Sequence, residues 1–392
     1  SPAAALEGRA YALGLGIRGR SAIRTAGDDL WDAIRPSGFS SERFKLHFSP
    51  TFSIDLRTPE DNEGLEPSLL IYQSDLCAAM LDQLEARFAQ TGRMRMFFNA
   101  AVENLDPVAG TATVEHEGSK RSVGPVDVLA GCDGVNSAVR ASIAAVCEGF
   151  SFEKAPLPGN LKVLRFPKMP EQLDPTAVHA IPGKGGMSAF VEPTANGGCA
   201  LINWRDPPSE SASTQGTSSL GDLSDASSAR DALRELFPML QDVMTDDAGQ
   251  QFVTQNPSRA ATVRCNTYHY GKAVLLGDAA HSTGGASGQG CNSALQDSAV
   301  LADLLIETSS VPAALSLFSE RQLPEGHALL DLSMGPGEAA GPFRKAMYGA
   351  STLASTLLSK LKVGPPPLQT LLTTSLTPFA EVRRERDGVF GE

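Results

Sequence analysis

Hydrophobic and polar positions follow two different periods along the chain, which predicts a mixed α/β protein. Two short runs, 44–48 and 52–56, alternate apolar and polar residues and predict a β-hairpin. From Leu76 to Phe88 apolar residues instead recur every four positions, which predicts an amphipathic helix, and Ser74 is placed to cap its first turn. The first quarter of the chain therefore contains both kinds of element.

The pattern changes over residues 149–255, where short strand-like runs follow one another. These runs are 161–166, 187–191 and 199–204. A Ser/Gly-rich segment, 207–228, interrupts them, and a short helix is predicted over 233–243. The spacing indicates an antiparallel sheet.

Two later strand patterns each lead into a turn that carries an aspartate. The run 126–130 precedes Asp133-Gly134, and the run 273–276 precedes Asp278. Beyond Asp278 the chain is rich in glycine and then becomes helical. A carboxylate at a strand end can bind polyol hydroxyls, and the start of a helix favours negative charge because its N–H groups and dipole point outward.

These turns carry a family resemblance. Residues 277–298, GDAAHSTGGASGQGCNSALQDS, resemble the second flavin motif of the FAD-dependent aromatic hydroxylases, which share the p-hydroxybenzoate hydroxylase fold. Residues 127–140 resemble the Asp-Gly motif of the same family, and residues 9–20 and 327–334 are similar to stretches of the kynurenine 3-monooxygenases. The resemblance implies an α/β FAD-binding fold and a monooxygenase that uses FAD, NAD(P)H and O₂ to hydroxylate a small aromatic or unsaturated substrate.

The resemblance also implies a domain organisation. The expected parts are a discontinuous FAD-binding domain over 1–148 and 260–334, an antiparallel substrate sheet over 149–259, and a C-terminal helical region over 335–392. The family's first βαβ unit, whose G-x-G-x-x-G turn holds the ADP half of FAD, has no counterpart in the sequence given. We therefore expect this polypeptide to bind FAD poorly.

One glycine-rich stretch does match the letters of that turn. It runs from Gly14 to Gly19, but no long apolar strand precedes it, and such a match alone is weak. We interpret Gly14 as a position where the backbone passes close to the flavin. The alternative, a NAD-dependent dehydrogenase that begins at Gly14, requires a parallel-sheet unit directly after it.

The family pattern implies a set of cofactor contacts. Asp278 is expected to accept hydrogen bonds from ribityl or ribose hydroxyls, and the helix near Gly290 to face the negatively charged edge of the reduced flavin. The other implied contacts are Arg9, Gly14, Gln73, Asp133, Gly134, Gly288, Cys291 and Asn292. No catalytic acid, base or metal ligand is assigned, because the cofactor carries the chemistry.

Several residues keep two interpretations. Asp133 and Arg140 either pair with each other, or Arg140 binds phosphate. Arg43 matches a carboxylate-binding arginine of the kynurenine 3-monooxygenases, and an exposed strand arginine is the alternative. His281 is interpreted as structural. Where relatives carry a proline, this chain has Thr283 and two glycines, so the resemblance does not identify the substrate.

Composition narrows the choice of partners. The net charge of −12 argues against nucleic acid, which requires a basic surface. The six cysteines form no C-x-x-C pair and indicate reduced thiols in an intracellular compartment, cytoplasm or organelle. Residues 343–363 combine apolar spacing with basic residues; a helix packed on the core is favoured over one lying on a membrane surface. A non-catalytic protein that has lost nucleotide binding is the alternative function.

Overall fold

The computed structural model describes residues 11–62, 65–205, 220–285, 287–335 and 368–386. The chain divides into two compact units. Unit 1 is drawn from Ser1–Leu15, Leu30–Arg87 and Leu157–Ala260, and unit 2 from Gly16–Asp29, Phe88–Pro156 and Ala261–Glu392. This division groups residues 30–87 with residues 157–260. The boundaries expected from sequence instead placed residues 30–87 in the FAD-binding domain.

The chain contains both strands and helices throughout, in agreement with the predicted mixed α/β class. The strands are β1 Ala12–Leu15, β2 Phe39–Ser41, β3 Arg43–Ser49, β4 Phe52–Arg57, β5 Ser68–Tyr72, β6 Ala100–Asp106, β7 Thr111–His116, β8 Ser119–Val123, β9 Leu129–Gly131, β10 Phe152–Pro156, β11 Asn160–Phe166, β12 Ala177–Pro182, β13 Ser188–Thr194, β14 Gly197–Trp204, β15 Ala261–Cys265, β16 His269–Tyr270 and β17 Ala273–Leu275. The helices are α1 Ile17–Thr25, α2 Asp28–Ile34, α3 Gln73–Phe88, α4 Ala138–Val146, α5 Ala226–Leu236, α6 Asp246–Thr254, α7 Asp278–His281, α8 Gly290–Glu307, α9 Val311–Met334, α10 Leu368–Thr374 and α11 Phe379–Arg384.

The main sheet of unit 1 has six strands in the order β11-β14-β13-β12-β3-β4. All neighbours are antiparallel except β12 and β3, which are parallel. One face of the sheet packs against α5 and α6, burying residues such as Leu164, Val191 and Phe252. The predicted hairpin and antiparallel sheet are therefore both present, and they form one sheet.

The helix predicted over 233–243 lies earlier in the chain. It begins at Ala226, because Asp225 accepts a hydrogen bond from the Ser228 N–H and caps the first turn. The helix ends at Leu236, and a short 3₁₀ turn follows from Pro238 to Leu240. Proline disfavours a longer α-helix here, because it has no N–H to donate. The prediction missed the polar first turn of α5, which carries little hydrophobic signal.

A second sheet of unit 1 shows whether the glycine-rich stretch at Gly14 begins a dinucleotide-binding unit. Its order is β1-β5-β2, and β1 is antiparallel to β5, with Gly14 opposite Leu70. A dinucleotide-binding βαβ unit needs parallel neighbours. The pairing of β1 therefore contradicts the interpretation of Gly14 as the start of a dehydrogenase.

Unit 2 contains a three-stranded sheet in the order β16-β17-β9, and β9 and β17 are parallel. These strands pack with α4, α8 and α9 in a core that buries Ile143, Leu275, Leu304 and Phe318. Helix α9 runs unbroken through Pro324, a residue that usually ends or kinks a helix. Its residues are buried on both sides of the proline, so packing compensates for the hydrogen bond that proline cannot make.

The described C-terminal residues pack on the end of α9. Leu329 and Leu332 of α9 are buried against Leu372 of α10 and Phe379 of α11. The amphipathic segment 343–363 lies outside the described residues. Among the helices that are described, none has both the length and the hydropathy that crossing a bilayer requires.

Candidate active site

The two aspartate-bearing turns meet at one edge of the unit 2 sheet. β9 and β17 are parallel, with Gly131 opposite Leu275, and the Leu276 N–H donates a hydrogen bond to the Gly131 carbonyl at 3.1 Å. Asp133 and Asp278 therefore follow the carboxyl ends of adjacent strands. In open α/β sheets, ligands bind at this edge.

The turn after β17 depends on a glycine. Gly277 has φ of 57°, and a Cβ there would lie 2.8 Å from the Cβ of Ala294 on α8. Both the left-handed backbone and the close approach of the helix exclude a larger residue. The strand, the turn and α8 are thus held tightly together.

A buried carboxylate fixes this turn. Asp297 of α8 accepts hydrogen bonds on Oδ2 from the Gly277 N–H at 2.8 Å and from His281 Nε2 at 2.7 Å. Both Asp297 and His281 are almost fully buried. Burial would lower the pKa of His281, but the charge and hydrogen bond of Asp297 outweigh it and raise that pKa. His281 is structural, as interpreted from the sequence, whereas the sequence reasoning missed Asp297.

Asp278 lies beside the start of α8. Its side chain is exposed and accepts no hydrogen bond from any described residue. Its Oδ1 lies 3.9 Å from the position that a Cβ on Gly290 would occupy, so the carboxylate is adjacent to the first residue of α8. Asp278 and the N-terminus of α8, which the sequence predicted to bind one cofactor together, lie close to each other here.

The loop before α8 leaves space around its backbone. Gly288 has φ of 66°, and a Cβ there would meet no described atom within 4 Å. Two buried side-chain atoms in the same loop, Gln289 Oε1 and Thr283 Oγ1, have no hydrogen-bond partner among the residues that the structure describes. Because buried polar atoms are almost always paired, these two point to a ligand that the loop binds. Open backbone, a carboxylate and unpaired polar atoms fit the flavin end of FAD.

Asn292 has a role that the sequence did not show. Its Oδ1 accepts hydrogen bonds from the Gly16 N–H at 2.9 Å and the Gly19 N–H at 3.2 Å, so it caps α1, which has no cap of its own. A Cβ on Gly16 would lie 2.9 Å from the carbonyl oxygen of Thr373. Close packing against Thr373 thus accounts for the glycine at position 16.

The predicted pairing of Asp133 with Arg140 is wrong. Asp133 Oδ2 instead accepts hydrogen bonds from the Ala138 and Val139 N–H groups at 2.6 and 3.1 Å, at the start of α4. Arg140 is buried and donates to the carbonyls of Ala279 and Val135 at 2.8 and 2.7 Å. Arg140 therefore connects the two turns. Its Nε has no hydrogen-bond partner among the described residues.

The remaining predicted contacts occupy varied positions. Gly134, with φ of 73°, has no described atom within 4 Å of an added Cβ, and Cys291 is half-buried in the first turn of α8. Gln73 is exposed at the start of α3, where its N–H donates to the Tyr11 carbonyl at 3.1 Å. Gly14 and Gln73 belong to unit 1 and stay predictions. Arg9 lies outside the described residues.

Unit 1 has its own cavity, of about 320 Å³, at the face of the six-stranded sheet opposite α5 and α6. Its lining is mostly apolar and includes Leu46, Ala180, Phe190 and Leu201. Phe44 meets Phe190 edge-to-face with ring centroids 5.7 Å apart. Side chains alternate along β3, so Arg43, the predicted carboxylate ligand, points to the opposite face from Phe44. Within the described residues, no group of acidic, histidine or cysteine side chains is arranged to hold a metal.

Comparison with known proteins identifies a family for this chain. A family model described as an FAD binding domain matches residues 12–333. The kynurenine 3-monooxygenase of Salinispora arenicola (strain CNS-205) is 27% identical over 390 residues, covering 96% of this chain and 80% of that protein. That of Salinispora tropica (strain ATCC BAA-916) is 28% identical over 365 residues, covering 91% and 76%.

A solved structure shows the same fold. The tetrameric form of 2-methyl-3-hydroxypyridine-5-carboxylic acid oxygenase superposes with a TM-score of 0.62 at 20% identity, covering 85% of this chain and 84% of that one. The family match and the relatives identify an FAD-dependent oxidoreductase of the monooxygenase class. The chain belongs to the FAD binding domain family.

Proposed function

We propose that this FAD-dependent monooxygenase hydroxylates a small aromatic substrate that binds in the unit 1 cavity, with NAD(P)H as the reductant. One observation carries the proposal: the Asp278 carboxylate and the N-terminus of α8 converge at the edge where β9 and β17 end. The relatives named above support the reaction class.

Each residue of the strand-edge site has a distinct task. Asp278, exposed and without a donor among the described residues, is suited to accept hydrogen bonds from the ribityl hydroxyls. The first turn of α8 is suited to the negatively charged edge of the reduced flavin, an interaction worth about 0.3–2 kcal/mol. The chemistry that bound FAD would supply is hydride uptake from NAD(P)H and the transfer of one oxygen atom of O₂ to the ring, with the other released as water.

Three buried residues hold this arrangement in place. Asp297 ties α8 to the turn that carries Asp278, and Arg140 ties the same segment to the turn after β9. Asn292 fixes α1 against α8. Precise positioning of this kind lets the protein orient the cofactor without taking part in bond making.

The unit 1 cavity suits a flat ring. Its volume of about 320 Å³ lies at the small end of the usual range for ligand pockets, about 300–1,000 Å³. Phe190 supplies an aromatic contact, and Leu46 and Leu201 supply apolar ones. A monocyclic or small bicyclic aromatic compound is the substrate class that fits.

The test uses the full chain loaded with FAD and a panel of monocyclic aromatic acids and amines. We expect at least one compound to accelerate NAD(P)H oxidation and to yield a hydroxylated product that contains oxygen from isotopically labelled O₂. A protein that takes up no FAD, or that hydroxylates no compound while oxidising NAD(P)H unaided, would contradict the proposal.

A further inference from the structure

A row of polar residues crosses the unit 1 sheet beside the apolar cavity. In the strand register, Glu192 of β13 lies opposite Cys199 of β14, and Cys199 lies opposite Arg165 of β11. Val191 and Ala200, their neighbours in sequence, are buried in the core beneath α5 and α6. Since side chains alternate between faces, Glu192 and Cys199 point to the other face.

That other face is the one that carries the cavity. Phe190 and Leu201, which line the cavity, lie two residues from Glu192 and Cys199 on the same two strands. Two residues along a strand span roughly 7 Å. This separation matches a single aromatic ring with one substituent, so a ring against Phe190 can place a substituent at Glu192.

Glu192 lacks the partners that a buried carboxyl group normally has. Its relative exposure is 7%, and it makes no hydrogen bond or ion pair with any described residue. Burial alone raises the pKa of this carboxyl group to about 8. Nothing in the packing of the sheet requires a carboxyl group here, and an apolar side chain would avoid the cost of burying it.

We propose that Glu192 determines substrate specificity by forming a hydrogen bond with an amino or hydroxyl substituent of the aromatic ring that binds against Phe190 and Leu201. The inference rests on the proposed function. A donor substituent satisfies the carboxyl group in either protonation state, whereas a hydrocarbon ring leaves it buried and unpaired. Sites built around a polar partner reject analogues that lack it by large factors.

The test compares three probes with the same ring and carboxylate: 2-aminobenzoate, salicylate and benzoate. Their dissociation constants are measured by calorimetry on the FAD-loaded full chain. We expect at least one donor-bearing probe to bind about tenfold or more tightly than benzoate. The tighter-binding of the two donor-bearing probes shows whether the site prefers an amino or a hydroxyl group. A wild-type protein that binds all three equally, or none, overturns the inference.

Variants assign the preference to Glu192. In Glu192→Leu the affinities for the donor-bearing probe and for benzoate are expected to differ by no more than about twofold. Glu192→Gln, whose amide both donates and accepts, should retain most of the preference for the donor-bearing probe. Glu235→Gln, on exposed Glu235 of α5, is the matched control and should change nothing. If Glu192→Leu fails to fold, Glu192→Met takes its place. An undiminished preference in the apolar variant overturns the inference, and intact hydroxylation in that protein shows that the proposed function still stands.

Discussion

Two buried carboxyl groups, one in each unit, show opposite uses of the same chemistry. Asp297 of unit 2 is 1% exposed and is held by a backbone N–H and by His281. Glu192 of unit 1 is 7% exposed and has no described partner. A paired carboxylate stabilises a turn, whereas an unpaired one costs stability and is retained for a ligand. The turn that carries Asp278 is therefore held by hydrogen bonds before a ligand binds, whereas Glu192 gains its partner only from a bound ligand.

The largest expected effect concerns Glu192 and pH. Its pKa is 4.5 in the unfolded chain and about 8 in the folded one, so the folded state keeps a proton that the unfolded state has released. The free energy of unfolding should therefore fall as pH rises from 4.5 to about 8, by at most about 5 kcal/mol. Glu192→Leu should remove this slope and be more stable at alkaline pH, as measured by urea unfolding across that range. If the unfolding free energies of the wild type and Glu192→Leu change with pH in the same way, Glu192 is not a buried, unpaired carboxyl group.

The second effect concerns Asp297. Asp297→Ala leaves His281 and the Gly277 N–H buried without their acceptor, which should cost about 3–5 kcal/mol of unfolding free energy. The variant should also lose FAD affinity, because the turn that carries Asp278 is released. Asp303→Ala, on the exposed side of the same helix, is the control for urea unfolding and FAD titration. If the two variants are equally stable, Asp297 does not hold the turn.

The smallest effect concerns the cap on α1. Asn292→Ala should lower the unfolding free energy by about 1–2 kcal/mol, since α1 has no other side-chain cap. Asn292→Asp keeps an acceptor oxygen and should recover most of the loss. Thermal unfolding of the three proteins measures both changes. A loss that aspartate does not restore would show that the cap is not what Asn292 contributes.

The sequence predicted the parts of this site that depend on local pattern. The strand before Asp278, the glycine-rich turn and the start of α8 all lie within one short segment, so periodicity and family resemblance located them. The cap from Asn292 to Gly16 spans 276 positions and could not be read from local pattern. Glu192 was missed because its importance depends on the register of β13 and β14 and on which face the cavity occupies. Arg140 was noticed, but its carbonyl partners were not foreseen.

The central claim is that Asp278 and the N-terminus of α8 bind the flavin. Its most direct test is the FAD dissociation constant of the wild-type chain, of Asp278→Ala and of the control Asp303→Ala, each measured by quenching of flavin fluorescence. Loss of hydrogen bonds to a charged group predicts about a 10- to 100-fold weaker affinity for Asp278→Ala, with the control unchanged. Equal affinities for all three proteins would contradict the account.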